Sequence, residues 1–295
     1  FLEIQYGLLG YISKEKPNYL VVMMDLHFLH VFLFGFFNIY KTKLIWWGPW
    51  ITNFNLANRI RLFFMKKHPS ILYCERHKIE FINKNIDPKK LFVSNNTVGL
   101  ANRTESYKSK IKDTVLFVGS LNERKGLIET LEIFNNIIDF IPKEVVFIII
   151  GDGEIKYKID DFIKNNPNLK TRIILKGKIT NSEKLNEFFK RSLISISINQ
   201  AGLFVLHSFA NGVPFLTLKN SISGGEKWNI LNNINGYLCK NKEEIKNKLI
   251  FYINNPEVCV KMGKEAYNYY DTNASPELMV SNFIKSYQYF NKAPY

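Results

Sequence analysis

The sequence predicts an α/β protein of two doubly wound domains with parallel sheets. A length of 295 residues exceeds the usual span of one domain. Short runs rich in Val, Ile and Phe recur along the chain, and most are separated by segments of helical periodicity, the pattern of strands joined by crossover helices. These runs are apolar throughout rather than alternating, as befits strands covered on both faces.

From the amino end, the chain starts at Phe1 in helix-like sequence without a basic-then-apolar leader, and we expect the beginning of the first domain to be missing. The apolar run 19–40 is long enough to raise a membrane span, but it contains Asp25, His27, His30, Gly35 and Asn38. A charge near the middle of such a span is expensive in lipid. The run therefore reads as a strand over 19–24, a turn at Asp25 and an apolar helix. A strand at 43–47 ends in Gly48-Pro49, a basic helix covers 55–67, a short strand 71–74 and a helix 75–84. Residues 99–112 are polar and aperiodic, which predicts an interdomain linker. Strands follow at 114–118, 145–150, 172–175, 193–198 and 214–217, and helices at 242–254, 256–270 and 275–291. The expected division is 1–110 for the first domain with its linker, 111–274 for the second, and 275–295 for a helix returning to the first.

Hydrophobic residues make up 46% and aromatics 15% of the chain, which excludes long disorder. The three cysteines are far apart and lack ligand spacing, so neither a disulfide framework nor a zinc site is expected, and a reducing cytoplasm fits. The formal charge is +14, and residues 1–110 hold 16 Lys and Arg against 7 Asp and Glu. An anionic membrane surface and a Lys-rich solvated exterior both explain this excess. Nucleic acid is the weakest partner, since no nucleic-acid-binding signature accompanies the charge.

In open α/β sheets ligands bind beyond the carboxyl ends of the strands. Strand 114–118 runs into Gly119-Ser120-Leu121-Asn122-Glu123-Arg124-Lys125-Gly126 before a helix starting near Leu127. Glycine admits close backbone approach, and a helix N-terminus beside Arg124 and Lys125 suits an anion; an ordinary solvated loop explains the same pair. Strand 145–150 ends in the tight turn Gly151-Asp152-Gly153-Glu154. Strand 193–198 ends in Asn199-Gln200-Ala201-Gly202-Leu203, and the helix that follows carries His207 and stops at Gly212 before Pro214.

Taken in order, these motifs give 114–236 a resemblance to the donor domain of family 4 (group 1) of the retaining glycosyltransferases, which have the GT-B fold of two facing Rossmann-like domains. Val118-Gly119 through Lys125-Gly126 matches the family's V-G-R-L…K-G loop, Ile150-Gly151-Asp152-Gly153 its V-G-D-G, and Ala210-Asn211-Gly212-Val213-Pro214 its A-x-G-V-P. Ser223-Gly224-Gly225-Glu226 before Asn235-Gly236 matches its G-G-x-x-E…N-G region. The chain departs from the family at Ser120, where Arg is usual, and at Asn199 and His207, where the family has two glutamates. The first of those sits near the donor sugar and the second commonly contacts the ribose; His207-Ser208 is a pair found in part of the family.

The resemblance implies transfer of a hexosyl or N-acetylhexosaminyl group, with retention, from a nucleotide diphosphate sugar to a glycan or lipid-linked acceptor. Surface polysaccharide assembly at the cytoplasmic face of the membrane is the implied setting. It implies donor contacts from Gly119, Ser120, Arg124, Lys125, Gly153, Gly202, Leu203, His207, Gly224, Gly225 and Glu226, and a reaction-centre position at Asn199. In the first domain Trp47, Pro49 and Trp50 mark the strand end where relatives often place a histidine; His27 and His30, just beyond another strand end, are the candidate substitutes, with a partly buried structural histidine the competing reading for each. No aspartate-x-aspartate metal motif is present, so no cofactor and no obligatory metal are expected. Two other readings stay open: a non-catalytic relative that binds a sugar nucleotide or a partner, and another Rossmann-like enzyme, which the lack of G-x-G-x-x-G after a strand disfavours.

Overall fold

A computed structural model describes residues 2–37 and 42–292 of the chain; residues 38–40 of the expected apolar run and 293–295 of the last expected segment lie outside them. The chain divides into two compact units, 1–96 with 277–295, and 97–276.

The first unit opens with α1 (Leu8–Glu15) and alternates β1 (Tyr19–Met23), α2 (Leu29–Phe37), β2 (Lys43–Trp47), α3 (Asn55–Lys67), β3 (Ser70–Leu72), α4 (Glu75–Ile82) and β4 (Leu91–Val93). Its sheet is parallel in the order β1-β2-β3-β4, so α2, α3 and α4 are crossovers between neighbouring strands. Over its described residues, 19–37, the apolar run is the strand, turn and helix that its polar residues predicted, and among the described residues no helix is long and apolar enough to cross a membrane. Val22, Trp46, Phe64, Leu72 and Phe81 are buried together in the core.

The second unit contains β5 (Thr114–Val118), α5 (Leu127–Ile137), β6 (Val146–Ile150), α6 (Lys156–Asn165), β7 (Ile173–Leu175), α7 (Ser182–Arg191), β8 (Ser192–Ile196), α8 (Phe204–Ala210), β9 (Phe215–Leu218), β10 (Gly236–Cys239), α9 (Lys242–Asn254) and α10 (Pro256–Asn273). Apolar Leu127, Leu131, Phe134 and Ile137 of α5 recur at helical spacing and are all buried. Asparagine side chains cap two of the helices: Asn181 accepts a hydrogen bond from the Lys184 N–H, and Asn241 from that of Glu244. The sheet is parallel with strand order β10-β9-β8-β5-β6-β7, the doubly wound 3-2-1-4-5-6 arrangement in which the winding reverses between β5 and β8.

The boundary between the units falls after Asn96 and not after residue 110, because 97–112 is tied down along its length. The Thr104 N–H donates to Asn211 Oδ1 at 2.9 Å and the Ser106 hydroxyl to the Phe189 carbonyl at 2.6 Å. Lys112 Nζ donates to the Ser192 carbonyl at 2.9 Å, and burial pushes its pKa down to about 8. Polar side chains fix this segment through hydrogen bonds, which leave no apolar periodicity in the sequence. The last helix, α11 (Pro276–Lys292), is grouped with 1–96 from Glu277 onward. Its Phe283 ring lies 5.3 Å from Trp47, Tyr287 lies 5.1 Å from Tyr19, and the Met279 carbonyl accepts from Ser94 Oγ at 2.8 Å.

Candidate functional site

The reversal between β5 and β8 places two sequence-predicted loops beside each other. After β5, Glu123–Lys125 makes one 3-10 turn and Gly126, at φ 66°, leads into α5. A side chain at Gly126 would need a left-handed backbone and would strike the Asn199 amide. The Asn199 N–H donates to the Lys125 carbonyl at 3.4 Å, and its Nδ2 to Glu129 Oε1 at 3.1 Å. Asn199 is thus held over the start of α5 with its amide hydrogens directed to a carboxylate from that helix. Glu129 also faces Lys242 at 3.6 Å; sequence reading missed it because it lies three residues past the loop motif, on the helix.

The loop after β6 closes the other side. The Gly119 N–H donates to the Ile150 carbonyl at 3.0 Å, and that of Leu121 to the Asp152 carbonyl at 2.9 Å. A Cβ at Gly151 would collide with the Gly119 carbonyl oxygen, and one at Gly153 with that of Leu121. These two glycines let the loops touch through bare backbone. Beyond them lies a cavity of about 540 Å³, lined by Val118, Gly119, Ser120, Gly151, Asp152, Gly153, Lys178 and Ile179. Lys178 and Ile179 follow β7, and no motif singled them out.

The Lys125 stem passes close to Gly119, its Cε 3.9 Å from where a Cβ would stand. Burial lowers the Lys125 pKa, neighbouring Arg124 lowers it further, and Glu226 opposes both. Arg124 is exposed, as is Ser120, whose hydroxyl accepts from Asn122 Nδ2 at 3.0 Å. Glu226 is buried, and the Ser223 hydroxyl donates to its Oε2 at 2.9 Å. The Ser223 oxygen also accepts from the N–H groups of Gly225 and Lys227 at 3.1 Å, so Ser223-Gly224-Gly225-Glu226 is a hydrogen-bonded turn. Lys227, also unmarked in the sequence, is buried and donates its ammonium to the carbonyls of Lys219 and Ser221. The Ile222 N–H donates to the Asn199 carbonyl at 2.8 Å, which joins this turn to the end of β8.

Gly202 and Leu203 lead into α8, with Leu203 exposed. His207, one turn into α8, has its ring 4.8 Å from Phe189 of α7. Burial holds its pKa down to about 4, so the imidazole is neutral.

In the first unit, His27 is 75% exposed, and its Nδ1 stands 2.7 Å from Asp25 Oδ1 just past β1. Burial raises the Asp25 pKa, but the backbone and ring hydrogen bonds of His27 and the charge of Arg61 outweigh it, and the net shift is downward. Arg61 is buried, with Nη1 3.2 Å from Thr52 Oγ1 and from Asn58 Oδ1, and its guanidinium lies 5.5 Å from the Trp50 ring centre. The structure thus gives His27 an acidic partner that the sequence marked only as a turn. Trp47 and Pro49 are placed differently from Trp50. Trp47 Nε1 donates to the Tyr73 hydroxyl at 2.6 Å and its ring packs on Phe283, while Pro49 is buried. Both are packing residues in this unit.

The profile of the family described as glycosyl transferases group 1 matches residues 101–269. The chain is 24% identical over 201 residues to a poly(ribitol-phosphate) alpha-N-acetylglucosaminyltransferase of Staphylococcus aureus (strain COL), covering 66% of this chain and 39% of that protein. It is 27% identical over 253 residues to a UDP-Gal:alpha-D-GlcNAc-diphosphoundecaprenol alpha-1,3-galactosyltransferase of Escherichia coli, covering 83% of this chain and 59% of that one. The chain therefore spans only about two fifths to three fifths of the length of these relatives. The crystal structure of an S. aureus TarM mutant with Fondaparinux, alpha-GlcNAc-glycerol and UDP superposes with a TM-score of 0.71 at 17% identity, over 95% of this chain and 58% of that one. The two parallel Rossmann-like sheets are those of the GT-B fold. Because the profile spans more than half of its length, the chain belongs to the glycosyl transferases group 1 family.

Proposed function

We propose that this chain belongs to a glycosyltransferase that moves a hexosyl or N-acetylhexosaminyl group from a nucleotide diphosphate sugar to a glycan or lipid-linked acceptor in surface polysaccharide synthesis, with retention of configuration. The observation that carries this is the half-buried Lys125 ammonium beside a bare-backbone cavity at the reversal point of a 3-2-1-4-5-6 sheet. Lys125 and Arg124 meet the charge that develops on the departing diphosphate, and the backbone at Gly119 and Gly153 admits the nucleotide without steric hindrance. In this reading no metal is obligatory, since fixed cations oppose that charge. The side-chain oxygen of Asn199, Oδ1, left available by the bond from Nδ2 to Glu129, accepts from a donor-sugar hydroxyl, and the Ser223-Gly224-Gly225-Glu226 turn offers a further carboxylate.

Asp25 orients His27 to contact the acceptor, and Trp50 stands against the Arg61 guanidinium whose charge acts on Asp25, so His27 retains its candidate role while Trp47 and Pro49 do not. The related enzymes are named for N-acetylglucosaminyl and galactosyl transfer, the second to a lipid diphosphate, which favours UDP as the donor base and an acceptor at the cytoplasmic membrane face.

Thermal stabilisation by UDP, GDP, dTDP and CMP tests the donor site, because a ligand bound only by the native state raises its melting temperature. One nucleoside diphosphate is expected to raise Tm by several degrees, and Lys125→Ala and Glu226→Ala each to remove most of the shift. If none of the four stabilises the wild type, the non-catalytic reading replaces this one.

A further inference from the structure

We propose that Lys227 is a positioning residue for the candidate donor site: its buried ammonium folds the chain after β9 into the turn that seats Glu226 and Asn199 around Lys125. The inference rests on the donor-site reading of Lys125 and gives a role to a side chain which that reading leaves unused.

Residues 219–225 lie between β9 and a 3-10 turn over Glu226–Asn229. Outside any regular strand or helix, their backbone groups need partners from elsewhere. Lys227 meets two of them. Its Nζ donates to the Lys219 carbonyl at 3.1 Å and to the Ser221 carbonyl, and its own N–H donates to the Ser223 hydroxyl at 3.1 Å. The residue is only 9% exposed. An ammonium withdrawn from water is costly unless hydrogen-bonded, so this burial is stable only while both carbonyls stay in place. The turn and its lysine therefore order each other.

The turn reaches Lys125 by two routes. The Ile222 N–H donates to the Asn199 carbonyl at 2.8 Å, and the Ile222 carbonyl accepts from the Ala201 N–H at 2.9 Å, which holds the chain leaving β8. Asn199 in turn donates its N–H to the Lys125 carbonyl at 3.4 Å. On the other route the Ser223 hydroxyl donates to Glu226 Oε2 at 2.9 Å, and Glu226 is the carboxylate whose charge acts on Lys125.

Lys112 supplies a contrast within the same unit. Its ammonium also holds backbone carbonyls, those of Lys190 at 3.2 Å and Ser192 at 2.9 Å. Ser192 is the first residue of β8, so Lys112 acts at the end of that strand opposite to Asn199. Both lysines hold the fold together, but only the carbonyls held by Lys227 belong to a loop of the site.

Hydrogen exchange and UDP titration calorimetry on Lys227→Met and Lys112→Met, each against the wild-type chain, test the proposal. Lys227→Met should speed amide exchange at 219–226 and 199–201 while leaving that of β5 and β6 unchanged. It should weaken UDP binding roughly 10- to 100-fold, as does removal of an outer partner that orients a ligating group. Lys112→Met should lower the urea midpoint and leave both the exchange at 219–226 and the UDP affinity as in the wild type. If Lys227→Met does not fold, Lys227→Arg, which keeps the charge and displaces its donors, gives the same comparison. Unchanged exchange at 219–226, a wild-type affinity for UDP, or an equal loss of affinity in Lys112→Met each overturns the proposal. Failure of the wild type to bind UDP counts against UDP as the donor base and not against Lys227, for which the exchange pattern then decides alone.

Discussion

At the scale of single residues, two side chains answer opposite questions about charge. Burial lowers the pKa of His207 from its ordinary 6.5 to about 4. Between those values the unfolded chain binds a proton at this ring and the folded chain does not, so stability is lost as pH falls from 6.5 towards 4. The loss amounts to at most about 3 kcal/mol. His207→Leu should flatten the fall of Tm over that window, as scanning calorimetry at pH 7, 5.5 and 4.5 would reveal; an unchanged slope would assign the acid sensitivity elsewhere, with His68 the next candidate. Asp25 is the other case, ionised and hydrogen-bonded to His27. Asp25→Asn should lower kcat for sugar transfer roughly 10- to 100-fold, in the range of general acid-base effects, while leaving nucleotide stabilisation intact. Transfer at the wild-type rate would remove His27 and Asp25 from the chemistry.

At the scale of elements, the candidate donor site is made by loops that meet rather than by any one loop. The strand ends at Gly119 and Gly151 approach so closely that a methyl group at Gly151 has no room. Gly151→Ala should cost roughly 2–4 kcal/mol of stability, by forcing two closely packed backbone segments apart, and should also abolish the nucleotide-induced shift; urea titration with and without nucleotide measures both. A variant as stable as the wild type would show that the loops separate freely. These loops were legible in the sequence because each is glycine-rich and follows an apolar run. Glu129 and Lys227 were not, since a carboxylate within an amphipathic helix and a lysine in a polar loop look like ordinary surface residues until their partners, Asn199 and the carbonyls of Lys219 and Ser221, are placed. The short strands β4 and β10 were missed for a related reason. Three or four residues carry little periodicity, and β10 begins with a glycine.

At the scale of the whole molecule, 97–276 holds a complete six-stranded sheet with helices and its own core. Expressed alone, it should fold cooperatively and keep the nucleotide-induced shift in Tm of the full chain to within a few degrees. A fragment cut at 111 should be less stable, because it loses the Ser106 and Thr104 hydrogen bonds; equal stability would restore the linker reading. The alternation of strands and helices, the parallel sheets and the donor-domain motifs were determined by the sequence alone, because they rest on local periodicity and on turn chemistry within a few residues of each motif. The unit boundary, the pairing of Asp25 with His27, the seating of Asn199 against Glu129, the burial of Pro49, and the packing of half-buried Trp47 on Phe283 and of half-buried His207 on Phe189 were decided only by the tertiary structure. Each depends on which side chain arrives from another part of the backbone, and for groups brought together by folding, hydrogen bonding and burial leave no spacing in the chain that would reveal them.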